Sequence, residues 1–397
     1  MSKKNFVLFL ALCFLVSRGI RSQELRFHGK FSNTTYSYET DKVHTRLYQT
    51  IRFSAEKPNW NKLALIGSFR ALTDLNETID DDLRYKFYQL NLQVQDILGH
   101  LDFVAGRFFL HPGTVLGAVD GMQLDVHLTH KIAWKVYGGV ESHFNRSIKI
   151  YESQDGWVAG SLFEWEKLLS NTFQLLYLQK TDDEETYWQI TGLNIVNTQI
   201  PHTQLKIQSH YDLKNSRFHK LLFNARYSLG TKLFLAYGYK NQYPQVYSNS
   251  FFTIFEIDPY QKHSIDLLYN LTNSIFASGT YQLIQLDDET ANQVIISLGN
   301  NSGNIGLIYE SGYGGDHIGA MVDYAYWVTK NLCASAYVDY SHYRTQEIYE
   351  YENQLANALR MSYRFNKRWL IDLEYQWLTN RFQESDSRIL NHIHLSW

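Results

Sequence analysis

Hydrophobic and polar residues alternate along most of this chain, and the alternation is clearest near its end. From Trp369 to Trp377, Trp369, Ile371, Leu373, Tyr375 and Trp377 occupy one phase, while Leu370, Asp372, Glu374 and Gln376 occupy the other. The last residues repeat the pattern, with Ile393, Leu395 and Trp397 set against His392, His394 and Ser396. A period of two sends successive side chains to opposite faces of a strand. The same sorting recurs upstream. Leu90, Leu92 and Val94 oppose Gln89, Asn91, Gln93 and Gln95, and Leu221, Phe223, Ala225 and Tyr227 oppose Asn224, Arg226 and Ser228. Leu205, Ile207 and Tyr211 oppose Gln204, Lys206, Gln208 and His210 in the same way.

Read in this way, the chain divides into 22 strand segments, from 24–33 and 45–55 through 170–180 and 185–195 to 388–397. Their length of about ten residues is what a tilted strand needs to cross a bilayer. A soluble sandwich or propeller would bury an inner row of Val, Ile and Leu. Here the apolar row is rich in Tyr and Trp, and no blade-length repeat is visible. The pattern therefore predicts an all-β fold, a transmembrane antiparallel up-and-down barrel with lipid outside and water inside. Closure satisfies every backbone polar group and leaves no edge in hydrocarbon. An even strand number puts both chain ends on one side, and merging two neighbouring pairs would also preserve that parity. The strand number is thus bounded at about 18 to 22, with 22 favoured.

Composition supports this picture. The 397 residues include 29 Tyr, 23 Phe and 9 Trp but only 5 Pro, and no linker divides them. Mean hydropathy is −0.34. Beyond the N-terminus there is no apolar run of the roughly 18 residues that a membrane helix requires. The net charge of −3 offers nothing to nucleic acid. Lys3 and Lys4, the apolar stretch from Phe6 to Val16, and Ser17, Gly19 and Ser22 read as a secretory signal cleaved after Ser22. Residues 1–22 would then be the leader and 23–397 a single barrel domain. Cys13 is preceded by Leu12 where a lipoprotein cysteine would need a small residue. Loss of the leader leaves Cys333 alone, so no internal disulfide is expected.

Connections alternate in character. Short turns such as Thr129-His130-Lys131, Gly230-Thr231 and Asn366-Lys367 alternate with longer, often acidic stretches, among them 72–82, 141–156, 181–185, 242–259, 344–352 and 379–387. Short periplasmic turns and long extracellular loops are the habit of outer-membrane barrels. Acidic runs such as Asp80, Asp81 and Asp82 would be solvated, or would bridge lipopolysaccharide through divalent cations.

Two sets of residues carry a resemblance. The C-terminal strand, with Trp397 last and Leu395 and Ile393 two and four places back, resembles the assembly signal of Gram-negative outer-membrane porins. The run Leu101-Asp102-Phe103-Val104-Ala105-Gly106-Arg107, followed by Asp120-Gly121-Met122-Gln123-Leu124, is similar to the strand, loop and strand of many porin-like barrels. The likeness implies insertion by the barrel-assembly machinery, location in the bacterial outer membrane, and contact with outer-membrane lipid and lipopolysaccharide. A TonB-dependent transporter would carry a plug domain ahead of the barrel, whereas here strands follow the leader directly. No narrower family is indicated.

Candidate chemistry is confined to the wet face. The segment 109–120 is apolar and contains glycine, unlike its acidic neighbours, and is the third long-side connection. In porins that connection commonly folds inward, so His111, Pro112, Gly113 and Asp120 become candidates for a constriction. Candidate pore-lining residues are Arg26, Lys30, Arg52, Arg70, Asp125, Lys206, Arg226, Asp266, Asp339, Arg360, Arg364, Asp372 and Glu374. Rings of such charges set the field on a permeating solute, although any wet wall needs polar residues. Strict alternation with Leu101 and Phe103 sends Arg107 outward, so a bulge or the strand end must rescue it. The 15 histidines show no metal-ligand spacing; His392 and His394 share a face without a further ligand. No nucleophile elbow or phosphate loop appears.

The function expected from these features is passive diffusion of small hydrophilic solutes through an outer-membrane channel, with no cofactor, no metal site and no catalysis. The alternative is a non-conducting surface barrel that binds a ligand or partner or serves structurally. A homo-oligomer is compatible with the sequence.

Overall fold

The computed structural model describes residues 26–40, 42–57, 62–79, 82–110, 117–142, 146–150, 156–182, 185–243, 259–345, 349–380 and 383–397. The chain runs through β1 (Arg26–Glu39), β2 (Val43–Lys57), β3 (Leu63–Asp74), β4 (Tyr85–Ile97), β5 (Leu101–Leu110), β6 (Gly117–Thr129), β7 (Ile132–Glu141), β8 (Trp157–Leu168), β9 (Asn171–Asp182), β10 (Glu185–Asn197) and β11 (Thr203–Asp212). It continues through β12 (Arg217–Leu229), β13 (Leu233–Gln242), β14 (Tyr260–Asn270), β15 (Ile275–Leu286), β16 (Glu289–Asn300), β17 (Gly303–Gly312), β18 (Asp316–Trp327), β19 (Leu332–Arg344), β20 (Glu352–Arg364), β21 (Trp369–Asn380) and β22 (Gln383–Ser396). Each strand pairs antiparallel with its neighbours in sequence, and β22 pairs with β1 to close a 22-stranded barrel.

The strands sort into two faces as alternation requires. Leu373 on β21 is 50% exposed and its neighbour Asp372 only 2%. Following the register from strand to strand keeps Leu307, Ile318, Leu359 and Leu373 on the outer, lipid-facing surface. Aromatic residues collect towards the strand ends of that surface, and their polar tips find partners. Trp134 Nε1 donates to Ser161 Oγ at 2.7 Å, Tyr340 OH to Asn353 Oδ1 at 2.8 Å and Trp377 Nε1 to Ser385 Oγ at 3.0 Å. Rings with one apolar body and one bonded tip suit the boundary between hydrocarbon and water.

The closing seam is reinforced on the outside. Gly29 and Trp397 exchange two backbone hydrogen bonds of 3.1 Å. The Trp397 ring lies where a Cβ on Gly29 would stand, 2.4 Å from the ring atoms. From there an aromatic row crosses the seam. Trp397 stacks on Phe27 at 6.3 Å, Phe27 on Phe53 at 6.0 Å, and Phe53 on Phe69 at 6.0 Å. Phe87 then meets Phe69 edge-on at 4.8 Å.

The two rims differ. On the side of the chain ends, connections have two to five residues, and on the other side they range from two to seventeen. Six of the short turns share one device. A Thr or Asn at the turn start (Thr129, Asn197, Thr272, Asn300, Thr329 and Asn366) accepts the backbone N–H groups two and three residues on. Such side-chain acceptors replace ladder bonds where the chain reverses.

Strands run further than the alternation indicated on the long-loop side. β1 was expected over 24–33 and extends to Glu39, paired opposite Val43. β9, expected over 170–180, reaches Asp182 in the acidic stretch 181–185, while β10 begins at Glu185 as expected. Above the bilayer both faces are wet, so polarity no longer alternates although the backbone ladder continues.

Replacing Trp397 by alanine removes the ring that covers Gly29 and starts the aromatic row. The expected loss is about 3 kcal/mol of barrel stability, read as a lower temperature for the folded-to-unfolded mobility shift on detergent gels. An unchanged transition would show that backbone pairing alone holds the seam.

Candidate functional site

Among the described residues, the wall parts at the hairpin β5–β6. Pairing of β4 with β5 runs from Ile97↔Leu101 to Leu90↔Arg107 and stops there, although β4 continues up to Tyr85 beside β3. Beyond Arg107, β5 pairs with β6 alone, through Phe108↔Val119 and Leu110↔Gly117. At the parting point Gly106 has φ +114°, and a Cβ there would stand 2.4 Å from Leu90 O. Only glycine accepts both the angle and the approach. Opposite it, Gly121 would place a Cβ 2.1 Å from Gly138 O.

The segment 146–150 occupies the flank that β5 vacates. Phe87 N–H donates to Arg146 O at 2.8 Å, where a continuing β5 would have been. Arg107 joins the pieces. Its guanidinium grips Asp120 with two bonds of 2.7 Å and donates to Phe87 O at 3.0 Å, Ser147 O at 2.6 Å and Lys149 O at 3.4 Å. Every N–H of the fork is used, in the planar bidentate geometry suited to a carboxylate. Arg107 stays on the outward phase, as strict alternation requires, and is rescued because β5 leaves the wall here and 146–150 covers it. It is 6% exposed.

The hairpin's other face is apolar. Phe108, Leu110 and Val119 are buried in one cluster with Tyr137, Val158, Leu178 and Trp188, which lie on the inner phase of β7 to β10. A Cβ on Gly117 would stand 3.7 Å from Glu141 Oε1 and 3.9 Å from Lys180 Nζ. Strand β9 is about 14 Å from β6 along the wall, so the tip of the hairpin leans over the inner surface. Lys180 and Glu141 form an ion pair there. Phe109 points the other way. It lines a cavity of about 770 Å³ together with Lys30, Arg52, Arg70 and Gln89 of the facing wall.

Asp82, between β3 and β4, is tied inward by a 2.6 Å bond from Arg70 and an ion pair with Lys86. Burial works against its charge but is outweighed by the hydrogen bonds from Lys86, from Leu83 N–H and from Arg70. Together these hold the carboxyl below the ordinary carboxylate range.

The candidate residues fall on the inner phase. Lys30 lies between Arg52 and Ser396, and Arg26 faces Glu56. Asp125 pairs with Lys135 at 3.2 Å and Arg360 with Asp372 at 2.8 Å. Asp266 accepts from Thr280, Asp339 from Tyr337 and Ser341, and Glu374 from Gln376. Lys206 stands opposite Asn224, Arg226 opposite Ala236, and Arg364 opposite Leu370. Asp120 belongs to the Arg107 clamp rather than to an open pore. His111, Pro112 and Gly113 lie outside the described residues. Inner-phase cations absent from the candidate set include Lys86, Lys135, Lys180, Lys220, Lys240 and Lys262. The alternation that selected Lys206 and Asp266 also reaches Lys220, Lys240 and Lys262, whereas Lys86 comes to the inner face only through the register shift between Gln89 and Phe87. The rings of His392 and His394 stack at 6.1 Å, with His392 Nδ1 2.8 Å from Thr34 Oγ1. Among the described residues no three His, Cys, Asp or Glu side chains cluster as a metal site would need.

No protein-family model matches the chain, and no curated protein matches it. Solved structures do. The chain is similar to a BenF-like porin from Pseudomonas fluorescens Pf-5, with 9% identity over 94% of this chain and 99% of the other at a TM-score of 0.50. It is similar to the P pilus usher (PapC) translocation pore, with 7% identity over 94% and 99% at a TM-score of 0.54. Pseudomonas aeruginosa OccK2 (OpdF) aligns at 8% identity over 94% and 98%, with a TM-score of 0.48. At these identities the likeness is one of fold. The chain has the fold of a large outer-membrane barrel.

Removing the fork in Arg107→Ala leaves Asp120 buried without its counter-charge. The expected loss is about 3–5 kcal/mol, with a smaller loss for Arg107→Lys, measured by denaturant unfolding in detergent. Wild-type stability in Arg107→Ala would show that the apolar bed alone holds the hairpin. The lowered Asp82 carboxyl gives a pH dependence of known sign. Its anchoring is fully present above the ordinary carboxylate pKa of about 4 and is lost as pH falls through its depressed folded value. Hydrogen-exchange protection around 82–86, corrected for intrinsic rate, should be level from neutral pH to about 5 and fall at lower pH. In Asp82→Asn this step should vanish.

Proposed function

We propose that the protein is a passive channel of the Gram-negative outer membrane, through which small hydrophilic solutes diffuse down their gradients. The barrel lies in lipid on its apolar face and conducts through its polar one. The reading rests above all on the β5–β6 hairpin. A ring of 22 strands has a perimeter on the order of 100 Å, too wide to discriminate among small solutes. The hairpin stem leaves the wall at Gly106, beds on β7 to β10, and turns Phe109 towards Lys30, Arg52 and Arg70. Narrowing by this element, with charged walls facing the remaining space, is the arrangement a selective diffusion pore needs. The porin-like strand pattern around Gly106-Arg107 and Asp120-Gly121 agrees with it, as does the fold shared with a porin and a translocation pore. Neither reaction chemistry nor a cofactor enters this function.

The experiment is single-channel recording in planar bilayers. The intact protein should give ohmic steps. Deleting 111–116, and separately Phe109→Ala, should raise unit conductance, by about twofold or more for the deletion. Unchanged conductance in both would put the narrowest point elsewhere. Silence of the intact protein would favour a surface receptor.

A further inference from the structure

Most charges on the inner wall are matched. Arg70 and Lys86 meet Asp82, His44 and Arg46 meet Asp74, Lys135 meets Asp125, and Arg360 meets Asp372. Two groups of cations depart from this rule. One lies on β11 to β14, where Lys206, Lys220, Lys240 and Lys262 occupy the inner phase of four successive strands. Lys240 stands directly opposite Lys262, and Lys220 opposite His210. The contacts they make are neutral. Lys220 Nζ donates to Gln208 Oε1 at 3.0 Å, and Lys240 Nζ to the Tyr260 hydroxyl. Among the described residues none of the four is paired with a carboxylate. Of the inner-phase acids in this sector, Asp212 accepts backbone N–H groups of its own turn, and Asp266 accepts from Thr280 further down β14.

The second group lies at the rim of the chain ends. A cavity of about 690 Å³ is lined there by Lys30, Arg52, Arg364, Lys367 and Arg368, with His394 beside them and no carboxylate. Half the ring of strands separates the two groups, so they face each other across the bore. Lys220, Lys240 and Lys262 sit towards the long-loop rim, Lys206 lower, and the cavity at the opposite rim.

An unpaired cation on a half-buried wall has lost part of its hydration without gaining a counter-charge. Lys220, Lys240 and Lys262 stand near one level on strands about 4.8 Å apart, with Lys206 four residues lower, and their fields reinforce one another in a confined aqueous bore with low-dielectric walls. A small monovalent anion can meet one or two of them, whereas a chain with repeated anionic groups meets the row. Gln208, Asn224 and Gln242 lie among the lysines on the same face and can bond hydroxyl groups between the charges.

We propose that the lysines of β11–β14 are a binding station for soluble oligoanions, molecules carrying several carboxylate, sulfate or phosphate groups, and that the basic cavity is the station they reach next. This rests on the channel reading and names its solute class.

The test uses the full chain in planar bilayers under a potassium chloride gradient. The reversal potential should favour chloride severalfold. Joint replacement K206Q, K220Q, K240Q and K262Q should bring the permeability ratio close to one, while the matching four-arginine variant keeps the preference. An oligogalacturonate should block at a concentration at least tenfold below that of a neutral malto-oligosaccharide of equal length. Inorganic triphosphate forms the second arm. Equal block by triphosphate assigns the station to oligoanions by charge alone, and block by the oligogalacturonate alone assigns it to acidic sugars. Normal conductance with a permeability ratio near one would overturn the inference and leave the channel standing. If no variant or parent conducts, the channel reading fails. Equilibrium dialysis of oligogalacturonate against the detergent-solubilised barrel then decides the station, which survives only if binding is lost in the four-glutamine variant and kept in the four-arginine one.

Discussion

In hydrocarbon an unpaired backbone N–H or C=O has no water to turn to, and each costs several kcal/mol. That constraint makes the contact between β1 and β22 the one on which the rest depends. Twenty-two strands with an open seam would present two unpaired edges to lipid. The two bonds between Gly29 and Trp397 mark the lower end of the ladder that closes them. Glycine at position 29 lets the indole lie flat over the junction, and the aromatic row from Trp397 to Phe87 carries the outer surface across five strands without a break. Once the ring is closed, the pleat dictates that every second side chain faces lipid and every other one faces the interior.

Closure creates a second problem, because a ring of this size encloses far more space than side chains can fill. The β5–β6 hairpin leaves the wall on its inner side, and leaving exposes the flank of β4. The exposed Phe87 N–H and C=O are taken up by Arg146 O and by Arg107. Arg107 is thereby both a cross-link within the hairpin and a substitute for lost strand pairing. Its burial is tolerable because Asp120 neutralises it and three carbonyls complete its fork.

These layers differ in how far the sequence discloses them. Alternation such as Trp369 to Trp377 discloses strand number, face and direction, since lipid and water impose opposite demands on neighbouring residues. It fails above the bilayer, as in β1 from Thr34 to Glu39, where both faces are wet and polarity carries no sign. It also fails at the hairpin. The outward phase of Arg107 looks like a contradiction until the partner 146–150 is seen, and that segment is some forty residues away in the chain. Glycine at 106 and 121 hints at close approach but does not say what approaches. The charged wall is intermediate. Period two assigns Lys206 or Asp266 to the interior, yet whether a given charge is matched depends on register between strands. Asp372 meets Arg360 across β20 and β21, while Lys240 meets another lysine across β13 and β14.

The position of the departing hairpin follows from the asymmetry of the rims. Six of the turns on the side of the chain ends are held to the wall by Thr and Asn side chains that accept two backbone N–H groups each, and the turns of that rim contain too few residues to lean inward. A hairpin can leave the wall only where its neighbours have chain to spare. The fifteen residues between β7 and β8 supply the covering segment, and the ten between β3 and β4 supply Asp82, which reaches back to Arg70 and Lys86. The long-loop rim is therefore where the bore can be shaped without breaking the hydrogen-bonded ring at bilayer depth. The opposite rim, pinned by its turns, keeps the strands in register while it is.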